Sequence, residues 1–337
     1  MEIPRKKLVA IEPGAGRYAN IVWQVSDVCN FRCSYCNEGN WGAKRPNSET
    51  EKYLPVLGKL IDHFQQRGYK AFKFFFSGGE PTIWKPLIPV LDFIYEKVDR
   101  PLIAVNTNLS RPLAWWEEHS HRFHDIVASF HVENTNKARY LENTEYLQYR
   151  VSYLALRMLM HDERFEEVVD FANLLKARLK NYTIEYAPLL EALTPHSPDH
   201  WYEAEWKRSF LANHSYQTSR AAPFSLLKKP HPAYSLEVYE DGSSQGLNSN
   251  RVVAEGQNQF QGWECSVGDN IYINQSGDIT LASCGVGGVV GNINEGRLEL
   301  MSNPVICPRS RCNCGTDICI PKRMPARMPS MLGAALA

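Results

Sequence analysis

The segment Cys29-x3-Cys33-x2-Cys36 places three of the chain's nine cysteines within eight positions. Thiols this close satisfy disulfide geometry poorly, and an odd number leaves one without a partner. Thiolates are soft ligands, and three of them suit a [4Fe–4S] cube whose fourth iron is left for a small chelating ligand. A zinc loop would need a fourth local ligand, and none stands at the usual spacings. The other six cysteines, Cys265, Cys284, Cys307, Cys312, Cys314 and Cys319, gather toward the C-terminus. Six clustered thiols point to a second metal-organised unit.

Something must hold the first three in place. Short β-branched or aromatic runs recur at 21–25, 72–76, 102–105, 126–130, 153–159 and 183–186. After the first gap their centres lie about 25–30 residues apart, the period of a βα unit. Helical patterns fill the gaps. Ser48-x-x-Glu51 reads as a capping box, Leu57, Leu60, Ile61 and Phe64 keep 3/4 spacing, and Gly68 supplies a stop. Stretches 87–98 and 166–179 behave alike. The fold class is α/β, a partial (β/α)6 TIM-like barrel over residues 1–195. In such a barrel the loops after the strands build the active site, and Cys29 follows the first strand directly.

Beyond residue 195 the rhythm fails. Residues 196–261 are rich in Pro, Gly, Ser and His and read as a connector. Residues 262–325 read as a small cysteine-rich module opened by a hairpin, 270–274 against 278–282, turning at Gln275-Ser276-Gly277. A tail follows at 326–337.

Lys+Arg and Asp+Glu both total 37 in 337 residues. No basic excess marks a nucleic-acid groove, and no run approaches the ~20 apolar residues of a membrane helix. The N-terminus lacks the apolar core of a signal peptide. The expected compartment is the cytoplasm, where cysteines serve as metal ligands more than as disulfides.

Cys29-Asn-Phe-Arg-Cys33-Ser-Tyr35-Cys36 resembles the CxxxCx(aromatic)C signature of the radical S-adenosylmethionine superfamily. Ser77-Gly78-Gly79-Glu80, after the second strand, is similar to that family's GGE motif, which takes the amino group of the methionine moiety. Bare glycines let the backbone approach a ligand closely, and a carboxylate is a natural partner for an ammonium. The resemblance covers roughly residues 20–190. It implies that Asn106, Asn108 and Ser129 hold the cofactor's ribose or carboxylate, and that Tyr35 lies near the adenine. It also implies the chemistry: the cluster donates one electron to S-adenosylmethionine, and the resulting 5′-deoxyadenosyl radical abstracts hydrogen from a substrate carbon. Flavodoxin or ferredoxin is the implied electron donor.

Cys265-x18-Cys284 is similar to the opening of the auxiliary-cluster modules called SPASM and twitch, which implies one auxiliary [4Fe–4S] cluster. The later spacing, Cys307-x4-Cys312-x-Cys314-x4-Cys319, departs from the full pattern and leaves open which two complete the set. Two thiols are then spare, either as structural residues or with one as a hydrogen-atom donor. Arg157, Glu185 and His131 stand on or just after barrel strands as candidate catalytic or substrate-binding groups. Arg157 and Glu185 have an alternative role as a structural ion pair, and His131 as a hydrogen-bonded loop residue. Asn40 and Trp41 are candidates for a cavity wall.

Only about twenty residues precede the first expected strand, too few for a peptide-recognition domain. The expected substrate is therefore a small polar metabolite: a sugar, nucleoside or aminocyclitol undergoing dehydrogenation, epimerisation or C–C bond formation. The alternatives are ribosomal-peptide modification, activation of a glycyl-radical enzyme, and a non-catalytic electron-transfer or zinc-binding protein.

Overall fold

A computed structural model describes residues 6–14, 18–36, 50–189, 202–214, 216–220, 235–300 and 304–325. The side chains of Ser48 and Glu51, Asn40, Trp41 and the tail 326–337 lie outside the described residues. Strands β1 (Leu8–Pro13) and β2 (Tyr18–Ser26) open the chain. Six βα units follow, starting at β2. Strands β3 (Ala71–Gly78), β4 (Leu102–Thr107), β5 (Asp125–Phe130), β6 (Tyr153–Met160) and β7 (Asn181–Pro188) alternate with helices α1 (Thr50–Gln66), α2 (Leu87–Lys97), α3 (Leu113–His119), α4 (Lys137–Leu147), α5 (Phe165–Arg178) and α6 (Glu205–His214). Strands β2 to β7 pair in sequence order and all in parallel. This is the partial (β/α)6 barrel that the spacing predicts.

The sheet does not end with those units. Strand β8 (Tyr216–Arg220) adds antiparallel to β7. On the other edge β12 (Asn270–Ile273) pairs in parallel with β2, followed by β13 (Asp278–Leu281), β14 (Val289–Asn292) and β15 (Arg297–Leu298). The hairpin expected at 270–282 is β12–β13, and it extends the barrel sheet. A second sheet runs β10-β9-β1-β17-β11-β16 through β9 (Ser235–Tyr239), β10 (Ser244–Gly246), β11 (Glu264–Cys265), β16 (Val305–Ile306) and β17 (Lys322–Arg323). Short helices α7 (Ser249–Ala254) and α8 (Gly315–Ile318) lie between its strands in the chain. Strand β1, which the sequence reading does not anticipate, belongs to this second sheet.

The alternation of side chains gives the parallel sheet two unlike faces. Phe72, Phe74 and Phe76 of β3, Ile103 and Val105 of β4, and Leu154, Leu156 and Met158 of β6 join one core. Leu57, Leu60, Ile61 and Phe64 of α1 and Val90, Leu91 and Ile94 of α2 belong to the same core. Helix α1 ends at Gln66, and Gly68 follows at a φ of +83° that only glycine adopts easily. The intervening positions face the other way and mix polar groups (Asn20 and Gln24 of β2, Lys73, Asn106, Ser129, Arg157 and Glu185) with apolar ones (Val22, Phe75, Ala104, Val127 and Ala155). One face is therefore filled by helices, and the other carries hydrogen-bonding and charged groups among apolar ones.

Phe74 is 1% exposed, whereas its neighbour Phe75 on the polar face is half-buried. Phe74→Ala should lower the unfolding free energy by about 3–5 kcal/mol. Phe75→Ala should cost clearly less. Urea denaturation followed by circular dichroism measures both.

Candidate iron–sulfur and cofactor site

The three cysteines of the first group lie on the loop that leaves β2. A second loop, at the end of β3, is stitched to it through the backbone. The Gly79 N–H donates to Ser26 O (2.7 Å), and the Glu80 N–H donates to Val28 O (3.0 Å). A Cβ on Gly78 would stand 2.3 Å from Ser26 O, and one on Gly79 2.3 Å from Val28 O. Gly78 also sits at φ +118°. The close approach that these glycines permit is thus to the cysteine loop itself.

Glu80 is fully buried. Its Oε1 accepts from the Thr82 N–H (3.0 Å), the Thr82 hydroxyl (2.5 Å) and the Thr107 hydroxyl (2.7 Å), and its Oε2 from the Asn108 N–H (2.6 Å). Burial lifts its carboxyl above the usual range, against the pull of these donors. The sequence reading offers this carboxylate to a ligand ammonium, but its acceptor sites are largely occupied by the protein. Asn108 continues the chain of contacts. Its Oδ1 accepts from the Ser110 N–H (3.0 Å), and its Nδ2 faces Asn30 Oδ1 (3.0 Å) and Cys29 Sγ (3.8 Å).

The segment after β5 grips the same loop from the other side. His131 Nδ1 lies 3.3 Å from Cys33 Sγ and 3.1 Å from the Tyr35 hydroxyl, with the Tyr35 ring stacked on the imidazole. Glu133 accepts from the Ser34 hydroxyl (2.6 Å) and N–H (2.8 Å), and faces His161 Nε2 at 3.4 Å. Asn134 Nδ2 lies 3.3 Å from Cys33 Sγ. Burial pushes the Cys33 thiol up to about 11, raises the Tyr35 phenol and pushes His131 down to about 4. Burial opposes ionisation of Glu133 too, yet the Ser34 donors and His161 prevail and hold it below the usual carboxylate range. Sequence reasoning singled out His131 and missed Glu133, Asn134 and His161. The signal was the polar run His131-Val-Glu133-Asn134 directly after a strand.

Ser129, Arg157 and Glu185 are register partners across β5, β6 and β7. Arg157 Nε donates to Glu185 Oε2 (3.0 Å), so these two groups form an ion pair. The Ser129 hydroxyl donates to Asn106 Oδ1 (2.9 Å).

No family model matches the chain. A 107-residue segment is 30% identical to a GTP 3′,8-cyclase of Pasteurella multocida, which is 30% of each chain. The match therefore spans under a third of the relative's length. This likeness is in keeping with the resemblance to the radical S-adenosylmethionine superfamily that the cysteine signature carries. Among solved structures, anSMEcpe with bound AdoMet and Cp18Cys peptide aligns at TM-score 0.48 and 12% identity, over 82% of this chain and 78% of that one. BtrN in complex with AdoMet and 2-DOIA aligns at 0.37 and 12%, over 83% and 80%.

The cofactors of that superfamily, a [4Fe–4S] cluster and S-adenosylmethionine, can be tested against the residues present. Cys29, Cys33 and Cys36 are soft donors on one loop, and amide groups face two of their sulfurs. Among the described residues no three His, Cys, Asp or Glu side chains are gathered as a single metal ion requires. The donor chemistry fits a cluster.

The six remaining cysteines are spread over strands and loops of both sheets. Cys265 lies on β11, and the Cys307 N–H donates to Trp263 O (2.8 Å). Buried Asp317 accepts from the Ser283 N–H (2.9 Å), the Ser283 hydroxyl (2.7 Å) and the Cys284 N–H (2.9 Å). Buried Lys322 donates to Asp317 O (2.7 Å). Burial pushes Cys265 and Cys284 up to about 11 and Cys312 to about 12. Asp317 and Lys322 escaped the sequence reading because nothing local distinguishes them from surface charges.

Glu80 gives a test that needs no cofactor. In Glu80→Gln an amide NH2 must replace one oxygen and face a donor. The unloaded protein should lose about 1–3 kcal/mol of stability. Denaturant titration checks this, since a carboxylate serving only a ligand would leave the unloaded protein unchanged.

Proposed function

We propose that the chain is an enzyme that reductively cleaves S-adenosylmethionine and abstracts hydrogen from a small polar substrate, of the sugar, nucleoside, nucleotide or aminocyclitol class. The observation that carries this reading is the polar face of the parallel sheet, to which the loop of Cys29, Cys33 and Cys36 is joined. In it Cys29, Cys33 and Cys36 hold the first cluster. When bound, the cluster and S-adenosylmethionine together supply one-electron cleavage of the sulfonium and a hydrogen-abstracting radical.

The protein's own groups do the positioning. Asn106, with Ser129 donating to it, and Arg157, paired with Glu185, present hydrogen-bonding and charged groups on the polar face. Such a lining suits hydroxyls and a sugar ring better than an apolar side chain. The curated relatives are named for chemistry on GTP, a small polar substrate. A flavodoxin or ferredoxin would deliver the electron. Among the described residues no helix is long and apolar enough to cross a membrane.

An auxiliary cluster would be held by Cys265, Cys284, Cys307 and Cys312. Cys265, Cys284 and Cys307 join one core, and Cys307 and Cys312 meet in a second. Arg309 Nη2 donates to Cys284 O (3.1 Å), tying the 284 loop to the 307–312 segment. Cys314 Sγ instead lies 2.9 Å from the Thr316 hydroxyl, and Cys319 Sγ 3.2 Å from Gly315 O, both within the α8 turn.

With dithionite and S-adenosylmethionine, the anaerobic protein should form 5′-deoxyadenosine, and Cys29→Ala should not. Deuterium from labelled sugars, nucleosides or nucleotides should enter that product. Transfer from peptides alone would replace the substrate reading. Iron analysis should give about eight atoms per chain by ligand counting. Cys265→Ser, Cys284→Ser, Cys307→Ser and Cys312→Ser should each roughly halve that number, whereas Cys314→Ser and Cys319→Ser should not change it.

A further inference from the structure

Two asparagine side chains approach sulfurs of the first loop. Asn134 Nδ2 lies 3.3 Å from Cys33 Sγ, and Asn108 Nδ2 3.8 Å from Cys29 Sγ. An amide can be turned over at will only if nothing fixes its oxygen. Here both oxygens are fixed. Asn108 Oδ1 accepts from the Ser110 N–H at 3.0 Å, and Asn134 Oδ1 from the Arg32 N–H at 3.5 Å. A backbone N–H can only donate, so each oxygen must face it and each NH2 must face the sulfur. His131 Nδ1, at 3.3 Å from the same Cys33 sulfur, changes role with its tautomer and also meets the Tyr35 hydroxyl. The asparagine NH2 groups can only donate, and that of Asn108 also meets Asn30 Oδ1 at 3.0 Å.

We infer that Asn134 and Asn108 are paired N–H···S donors to Cys33 and Cys29 that set the reduction potential of the cluster on this loop. The inference rests on the cluster proposed above and deepens it. A thiolate ligand carries more negative charge when the cluster is reduced, so an N–H dipole aimed at it stabilises the reduced form more than the oxidised one. Removing the donor lowers the potential. Asn134 is the stronger of the two by distance. It arrives on the same segment as Glu133, whose carboxylate fixes Ser34 between Cys33 and Tyr35, so its aim is held by a second, independent contact.

The experiment is a redox titration of the reconstituted, full-length protein, monitored by electron paramagnetic resonance without S-adenosylmethionine. The auxiliary cysteines are changed to Ser in the parent and in all variants, so that one cluster is read. In Asn134→Leu, iron content should match the parent and the midpoint potential should be more negative. Asn108→Leu should shift it less, in the same direction, and Asn134→Gln should restore part of the loss. Equal potentials in the parent and both Leu variants, at equal iron, would overturn the inference. A parent that binds no iron on this loop would instead overturn the cluster reading. Where a Leu variant fails to hold iron, pulsed resonance on the parent carrying asparagine labelled with 15N at the side-chain amide decides. A nitrogen coupling that changes with the label supports the inference, and its absence ends it.

Discussion

Two backbone hydrogen bonds, from Gly79 to Ser26 and from Glu80 to Val28, hold the cysteine loop onto the strand next to it. Every other feature of the site depends on that join. The ten residues that follow β2, 27–36, carry three thiols and no core of their own, and their conformation must be imposed from outside. The join places its first residues in a continuation of the β2–β3 pairing, where only glycine leaves room for the facing carbonyls. Buried Glu80 then ties the join inward to Thr107 and Asn108 at the end of β4. The loop is in effect an extension of the sheet, and its sulfurs inherit the rigidity of three strands.

A buried carboxylate is costly unless its acceptor sites are filled. Glu80 meets that demand with four donors, two from backbone and two from hydroxyls. The same short Gly-Gly-Glu run thus answers two needs at once, close approach and a charged anchor. A motif can be kept for its mechanical role even where its chemical role is the one more easily imagined.

The repeat of strands and helices was legible in the sequence because each βα unit is local: its periodicity and its stop signals lie within about 30 residues. All six expected strands lie within β2 to β7. What pairs across long separations was not legible. Strand β1 finds β9 and β17 more than 200 residues away, and β12 adds to β2 across 250. The sequence reading therefore drew a module boundary at 262 through what is one continuous sheet. The site divides in the same way. The spacing of Cys29, Cys33 and Cys36 is a local pattern and was readable. Asn134 and Glu133 act on a loop about a hundred residues earlier, and the polar run that carries them does not say which loop it meets. Arg157 and Glu185 were open to two readings because sequence places them on adjacent strands without showing which face they share. Register makes them direct partners, and they form an ion pair.

The continuity of the sheet fixes where the two sets of cysteines stand relative to each other. Strand β2 runs into the first cysteine loop at its carboxyl end. Strand β12 is parallel to it, in register from Asn270 beside Asn20, and Cys265 precedes β12 by five residues. Strand β13 runs back, with Ala282 bonded to Asn270, and Cys284 follows at once. Both early cysteines of the second group therefore lie at the amino-terminal edge of β2, opposite the first loop. From Asn20 to Ser26 the strand rises roughly 20 Å at about 3.3 Å per residue. Between the two edges lies the face that carries Gln24, Lys73, Asn106, Ser129, Arg157 and Glu185. The helices close the other face with packed side chains, so this polar one is the side of the sheet on which a bound molecule can lie between both groups of sulfurs.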